Sequence, residues 1–267
     1  MRSSATFRAS LTILTILAML VLSRAEDAAP RPAAPATTTT ATSSNIVIGF
    51  VGGFVAHDDL RHGPVRLAQH IQQMVPKDTY VRVFENRRRK RAYDAIVRLL
   101  DTDHDGSLSA EEKARAHIVL FGHSWGAAAA VLLARDLQRE GISVLLTVQV
   151  DSIAKAWQND AVIPDNVAAA VNYYQPHGIL HGRTQITAAD PAKTQVLGNY
   201  LEDYKKNPID CPGATWFSRV FTAGHMQSEC DPHVWSQIEG MVLQRLFGSA
   251  TVPTTAAAVS VGVDPQR

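Results

Sequence analysis

The chain has 267 residues, 46% of them hydrophobic, and 26 Lys plus Arg against 25 Asp plus Glu, a formal net charge of +1. That length and apolar content suffice for one sizeable core, which excludes disorder throughout, and the near-neutral balance lacks the cationic excess with which a dedicated nucleic-acid binder engages phosphate. Two cysteines exclude a multi-disulfide miniprotein and any four-cysteine zinc site.

In chain order, Arg2 and Arg8 precede an apolar run over residues 11–22 and then Ser23-Arg24-Ala25, the layout of a secretory signal peptide covering residues 1–25. The run is short against the ~20 residues of a membrane span. No stable span is therefore expected once the signal is removed, an uncleaved N-terminal anchor being the alternative. Cleavage would take away three arginines and no acid, leaving 23 cations against 25 anions, or −2. Residues 26–44 are almost all Ala, Pro, Thr and Ser, a composition that buries too little apolar surface to offset its ordering entropy and reads as a disordered linker. Residues 249–267 have similar character and read as a flexible tail, so the folded domain is expected over residues 45–248. No fixed-period repeat is visible, which argues against solenoids and propellers.

Within that domain the run Ile46-Val47-Ile48-Gly49-Phe50-Val51 has the branched, uninterrupted apolar character of a strand covered on both faces. A helix is expected over residues 64–75, with Val65, Ala68, Ile71 and Val75 at helical spacing and Pro64 in its first turn. A strand over 79–84, a helix over 93–100, a strand over 117–121 and a helix over 127–139 follow. Further strands are expected over 143–150, 168–174 and, more weakly, 216–222, before a closing helix over 234–247. Strands alternating with helices of this length imply right-handed crossovers and a mainly parallel sheet flanked by helices on both faces, with the functional residues just after the strands.

Gly122-His123-Ser124-Trp125-Gly126 sits between the strand over 117–121 and the helix from residue 127. A serine in a sharp strand-to-helix turn needs glycines two places to either side so that neighbouring elements can crowd in while its hydroxyl stays exposed. With this G-x-S-x-G pattern the chain resembles the α/β-hydrolase superfamily over most of residues 46–247. The resemblance implies that an acid and then a histidine follow Ser124 in the chain. Asp151, directly after the strand over 143–150, is the first choice of acid, although the commoner arrangement puts the acid after the next strand; Asp190 is held in reserve. His225 in Thr222-Ala223-Gly224-His225-Met226, read as a loop ahead of the closing helix, is the choice of base over His177, His181 and His233. The backbone N–H of Trp125 with one from Gly53 or Phe54 is the expected oxyanion hole.

Residues 101–112 match D-x-[DN]-x-[DN]-G-x5-E at every specified position and resemble an EF-hand loop inserted before the nucleophile strand. Asp101, Asp103, Asp105 and Glu112 supply side-chain oxygens for calcium, Ser107 a carbonyl and Ser109 a water-mediated contact. Only residues 110–116 remain for a second helix and no second hand is visible, so a structural role is expected rather than a sensor's. Arg87-Arg88-Arg89-Lys90-Arg91 reads as a solvated helix start. Cys211 and Cys230 are expected to pair in an oxidising compartment. The expectation is a secreted or periplasmic serine hydrolase acting on a small-molecule or lipid carboxylic ester, with residues 175–214 as a cap whose Tyr173, Tyr174, Ile179 and Leu180 neighbourhood suits an apolar acyl group. The alternative is a non-catalytic calcium-binding protein on a hydrolase scaffold.

Overall fold

Residues 46–51 run apolar without interruption because both faces of the strand they form are covered. Along β1 (Ser44–Val51), Ile46, Ile48 and Phe50 enter one hydrophobic layer while Val47 and Val51 enter the other, the period of two that a pleated strand imposes. In the computed structural model, residues 43–212 and 222–248 are described. The expected signal peptide, nearly all of the linker, nearly all of the weak strand at 216–222 and the tail lie outside the described residues.

The sheet comprises β1, β2 (Tyr80–Glu85), β3 (Ala116–His123), β4 (Leu146–Val150), β6 (Ala169–Tyr174) and β8 (Gln195–Leu201), in the order β2-β1-β3-β4-β6-β8 with every neighbouring pair parallel. The short strands β5 (Val162–Ile163) and β7 (Thr187–Ala188) pair separately. Helices α1 (Gly63–Met74), α2 (Arg89–Leu100), α3 (Ala110–Ala114), α4 (Trp125–Arg139), α5 (Ala223–Cys230) and α6 (Pro232–Phe247) surround it. Ile96 and Leu100 of α2 and Leu133 and Leu137 of α4 pack on one face of the sheet, and Leu67 and Ile71 of α1 and Ile238 and Val242 of α6 on the other. The mainly parallel sheet with helices on both faces is thus present as expected.

Parallel strands bring all their carboxyl ends to one edge. Gly52, Asn86, Ser124, Asp151 and Gln175 are each the first residue after a strand, following β1, β2, β3, β4 and β6. Besides the short β5 and β7, which the sequence reading does not contain, two elements differ from it. β8 is a half-exposed edge strand, interrupted by Gly198 and offset by a register shift against β6, so it carries little alternation. The segment around His225, expected as a loop, is helix α5. The cationic run at 87–91 is largely paired at the surface, Arg88 with Glu85 at 3.4 Å, Arg89 with Asp136 at 2.6 Å and Lys90 with Asp94 at 2.8 Å. No helix among the described residues is long and apolar enough to cross a membrane.

Cys211 and Cys230 are joined in a disulfide with Cα atoms 5.6 Å apart and a sequence separation of 19. It ties the segment after β8 to the last residue of α5. Closing a loop of this length is expected to contribute ~3 kcal/mol by restricting the unfolded chain. Denaturant midpoints with and without reductant measure this, and two alkylatable thiols in the unreduced protein would contradict the bond.

Candidate active site

Ser124 forms the corner between β3 and α4 with φ 57° and ψ −127°, a left-handed conformation that L residues adopt only when their surroundings impose it. The turn is pinned on both sides. Ser124 N–H donates to the Val150 carbonyl at 3.0 Å, and the Ser124 carbonyl accepts from Ala127 N–H at 3.0 Å and Ile153 N–H at 3.3 Å. The flanking glycines are steric requirements here, since a Cβ on Gly122 would lie 2.4 Å from the Gly126 carbonyl carbon and one on Gly126 2.3 Å from the Phe50 carbonyl oxygen. The start of α4 lies behind the serine and adds its partial positive charge.

Asp151 also has a positive φ, 44°, and its side chain is fully buried. Its Oδ2 lies 2.6 Å from His225 Nδ1 and accepts from Gln175 Nε2 at 2.9 Å, while its Oδ1 accepts from Gly182 N–H at 2.6 Å. A carboxylate can only accept, so His225 carries its proton on Nδ1 and leaves Nε2 as the basic nitrogen. Burial pushes the Asp151 carboxyl up, but the His225 and Gln175 contacts outweigh it and hold the group below the usual carboxylate range. For His225, burial and the neighbouring His123 charge outweigh the pull of Asp151 and keep the imidazole below its ordinary value, so it is neutral and able to take a proton near pH 7.

Ser124 and His225 line one cavity of about 310 Å³ together with Gly53, Val55, Ile153, Leu180 and Met226. Of the residues expected to shape an apolar acyl site, Leu180 reaches this cavity. Ile179 is 76% exposed, and Tyr173 points to the far side, where its hydroxyl donates to Gln237 at 2.9 Å and its ring stacks on Tyr200. The correction follows from strand alternation, which turns Tyr173 onto the α6 face. A larger groove of about 660 Å³ between β8 and α6 is lined by Tyr173, Tyr200, Gln237 and Met241, among others, but by no serine or histidine. The reserve acid Asp190 is 40% exposed and faces Lys193 at 3.9 Å.

Gly52 lies against the serine, for a Cβ there would come within 2.9 Å of Ser124 Cβ. The loop after it is braced by Asn86, whose Nδ2 donates to the Gly53 carbonyl at 2.6 Å. Lys155 Nζ donates to Asn86 Oδ1 at 2.9 Å and sits 4.8 Å from the Trp125 ring centroid, and Phe54 meets that ring edge-on at 5.7 Å. The brace holds Gly53 in the wall of the Ser124 cavity with Trp125, while Phe54, 85% exposed, packs on the Trp125 ring and does not line that cavity. Sequence reasoning missed Asn86, Lys155 and Gln175. The usable signal was position, because Asn86 and Gln175 directly follow strands.

In the acidic loop, Asp101, Asp103 and Asp105 bring carboxylate oxygens within 4.8 Å of one another, and Asp101 Oδ1 is buried without a hydrogen-bond partner. Gly106, at φ 84°, makes the turn. Three converging carboxylates with an unpartnered oxygen fit a hard dication. Glu112 does not join them. Its carboxylate accepts from Thr102 N–H at 2.7 Å and Ser109 N–H at 3.0 Å, and Ser109 Oγ accepts from Glu112 N–H at 3.2 Å, a capping box that starts α3. These backbone donors bring its carboxyl down to about 2. Leu108 packs against the core from within the loop.

No protein-family model and no curated protein matches the chain. Among solved structures it is similar to a putative hydrolase of the alpha/beta superfamily from Xanthomonas campestris, at 14% identity over 70% of this chain and 97% of that one, with a TM-score of 0.34. A thermostable esterase from Pseudomonas putida shares 9% identity over 78% and 74% of the two chains, TM-score 0.38. A thioesterase of the prodiginine biosynthetic pathway from Streptomyces coelicolor shares 15% identity over 79% and 97%, TM-score 0.39. Likenesses this distant decide nothing about the chemistry, which rests on the side chains themselves.

Proposed function

We propose that the protein is a secreted or periplasmic serine hydrolase of the α/β-hydrolase type that cleaves a carboxylic ester, with calcium bound structurally at residues 101–112. The observation that carries the reading is the 2.6 Å contact between His225 Nδ1 and the buried Asp151, in the same cavity as a serine held at a left-handed corner. Ser124 Oγ attacks the ester carbonyl carbon as His225 Nε2 takes its proton. The backbone N–H of Trp125, with that of Gly53 or Phe54, receives the developing oxyanion. Collapse breaks the bond to the alkoxide, which leaves with the proton from His225, and the acyl group stays on Ser124. A water then gives its proton to His225 and attacks the acyl carbon, releasing the acid and restoring the serine. The Val55, Ile153, Leu180 and Met226 wall favours an apolar substituent.

A fluorophosphonate probe tests the reading. Labelling that maps to Ser124 and vanishes in Ser124→Ala supports it. An unlabelled, folded wild type would instead favour a non-catalytic calcium-binding protein on this scaffold.

Asp101, Asp103 and Asp105 would hold the calcium, joined by the Ser107 carbonyl, a water near Ser109 and Glu112, the last by giving up contacts to Thr102 and Ser109. The ion would supply charge neutralisation to the loop. Its loop enters β3 at the end opposite Ser124, roughly 23 Å away at ~3.3 Å per strand residue, too far to polarise a substrate. Calcium at about 100 times its Kd is expected to stabilise the fold by ~2.7 kcal/mol, with a Kd on the order of 10⁻⁴–10⁻³ M. The rise in melting temperature should vanish in Asp101→Ala, with ester turnover kept. No calcium-dependent shift in wild type would remove the site.

A further inference from the structure

His123, immediately ahead of the proposed nucleophile, is 3% exposed and takes no part in the acyl-transfer steps. Its Nε2 lies 3.2 Å from both the His225 carbonyl and Ser228 Oγ, its Nδ1 lies 3.5 Å from Glu229 Oε1, and its ring lies against that of His225 with centroids 4.5 Å apart and the planes tilted by 32°. Glu229 is also buried, and its other close partner is His62 Nδ1 at 2.8 Å. The Ser228 hydroxyl donates to the His225 carbonyl at 2.8 Å. Both nitrogens of His123 therefore face acceptors, the arrangement that suits the doubly protonated ring. A carboxylate taken out of water needs a compensating cation close by. Here the buried candidate is His123.

We propose that His123 and Glu229 form a buried ion pair behind His225, in which His123 acts as a positioning residue and keeps the enzyme active into mildly acidic conditions. The proposal rests on the reading of Ser124, His225 and Asp151 as a triad. His123 ties the end of β3, which carries the serine, to α5, which carries the base. Its charge, with the ring centroid 4.5 Å from that of His225, also opposes a second positive charge there. The other groups facing the pair are Asp151 from the end of β4 and His62 ahead of α1, with Asp59 3.7 Å beyond His62. Arg66 meets Glu229 only at its backbone carbonyl. Burial is the largest single influence and lowers His123, but the charge and contact of Glu229 together with the Asp151 charge and the His225 carbonyl outweigh it and hold the imidazole above its ordinary value. Glu229 is held well below the usual carboxylate range because His123 and His62 overcome its burial.

The sign of the effect is definite. Ester kcat/KM falls as pH drops and His225 takes a proton, so removing a cation beside His225 moves that acid limb upward. His123→Gln offers an uncharged N–H for the same carbonyl and is expected to raise the limb by about one pH unit, with a plateau change of less than tenfold. Glu229→Gln should act in the same direction, because a buried His123 without its carboxylate gives up its proton and the His123 charge bears on His225 more strongly than the Glu229 charge does. Residue packing alone would lower the plateau at every pH and leave the limb in place. Coincident acid limbs in folded variants and wild type would overturn the proposal. Nitrogen-15 spectra of the wild-type imidazoles, which need neither a variant nor turnover, should show His123 doubly protonated where His225 is neutral, and a neutral His123 there would also overturn it. A wild type without Ser124 labelling or turnover would remove the triad reading instead, and the spectra would still decide the ion pair.

Discussion

Asp151→Asn is expected to lower ester kcat by about 10⁴-fold, whereas Asp190→Asn leaves it unchanged. The Asn side chain can turn an N–H toward His225 Nδ1, which must then accept. The imidazole is left with its proton on Nε2 and no lone pair for the serine. Nothing comparable follows at Asp190, which is 40% exposed, faces Lys193 and accepts from Ala192 N–H in its own turn. Ser124→Ala and His225→Ala should each lose about 10⁶-fold, and the double variant scarcely more, because the members act as a unit. Steady-state turnover of a short-chain ester, with folding checked by circular dichroism, measures all five. Full turnover in Asp151→Asn with loss in Asp190→Asn would reassign the acid.

Gly126→Ala is expected to destabilise the fold by about 3 kcal/mol or more, against at most 1 kcal/mol for most surface changes. The added carbon would sit 2.3 Å from the Phe50 carbonyl oxygen and 2.9 Å from the Val51 carbonyl carbon, all of it backbone in the interior strand β1. Neither side can yield without parting α4 from the sheet. Gly240→Ala on α6 is the control with opposite sign. A Cβ there meets nothing within 4 Å, so the lower backbone entropy of Ala in the unfolded chain should stabilise the helix by ~0.5–1 kcal/mol. Urea midpoints compare the two, and equal effects would mean that the close approach at the elbow is wrong.

How far each element was legible depended on where its determinants lie in the chain. β1, β3, β4 and β6 are buried on both faces, so their sequences are mostly apolar, with Thr147, Gln149 and Asn172 among the buried exceptions, and the signal survives without knowledge of neighbours. β8, with the burial of an edge strand, mixes Gln195, Gly198 and Asn199 with its apolar residues and gave no such signal. Helix α5 spans eight residues, includes Gly224 and Ser228, and has only a weak apolar face. Its conformation depends on partners far along the chain, the disulfide from Cys211 and the His123 contacts to His225 and Ser228.

The same division runs through the site. Sequence by itself determined the elbow, because the requirement for glycines at 122 and 126 is local to a single turn, and it determined the aspartate spacing at 101, 103 and 105, because a tight loop converts that spacing directly into convergence. It also put Asp151 at the sheet edge, since a residue ending a parallel strand can emerge nowhere else. Only the tertiary structure decided what each polar side chain meets. Gln175 reaches Asp151 across 24 positions, Asn86 reaches Gly53 across 33, and Glu229 reaches His62 across 167. Periodicity reports which face of an element is buried, because spacings of two or four residues are set by backbone geometry. Pairing between distant residues depends on how whole elements pack, and Glu112 shows the difference: its spacing matches a metal ligand, and only the structure shows its carboxylate closing a capping box with Ser109 at the start of α3.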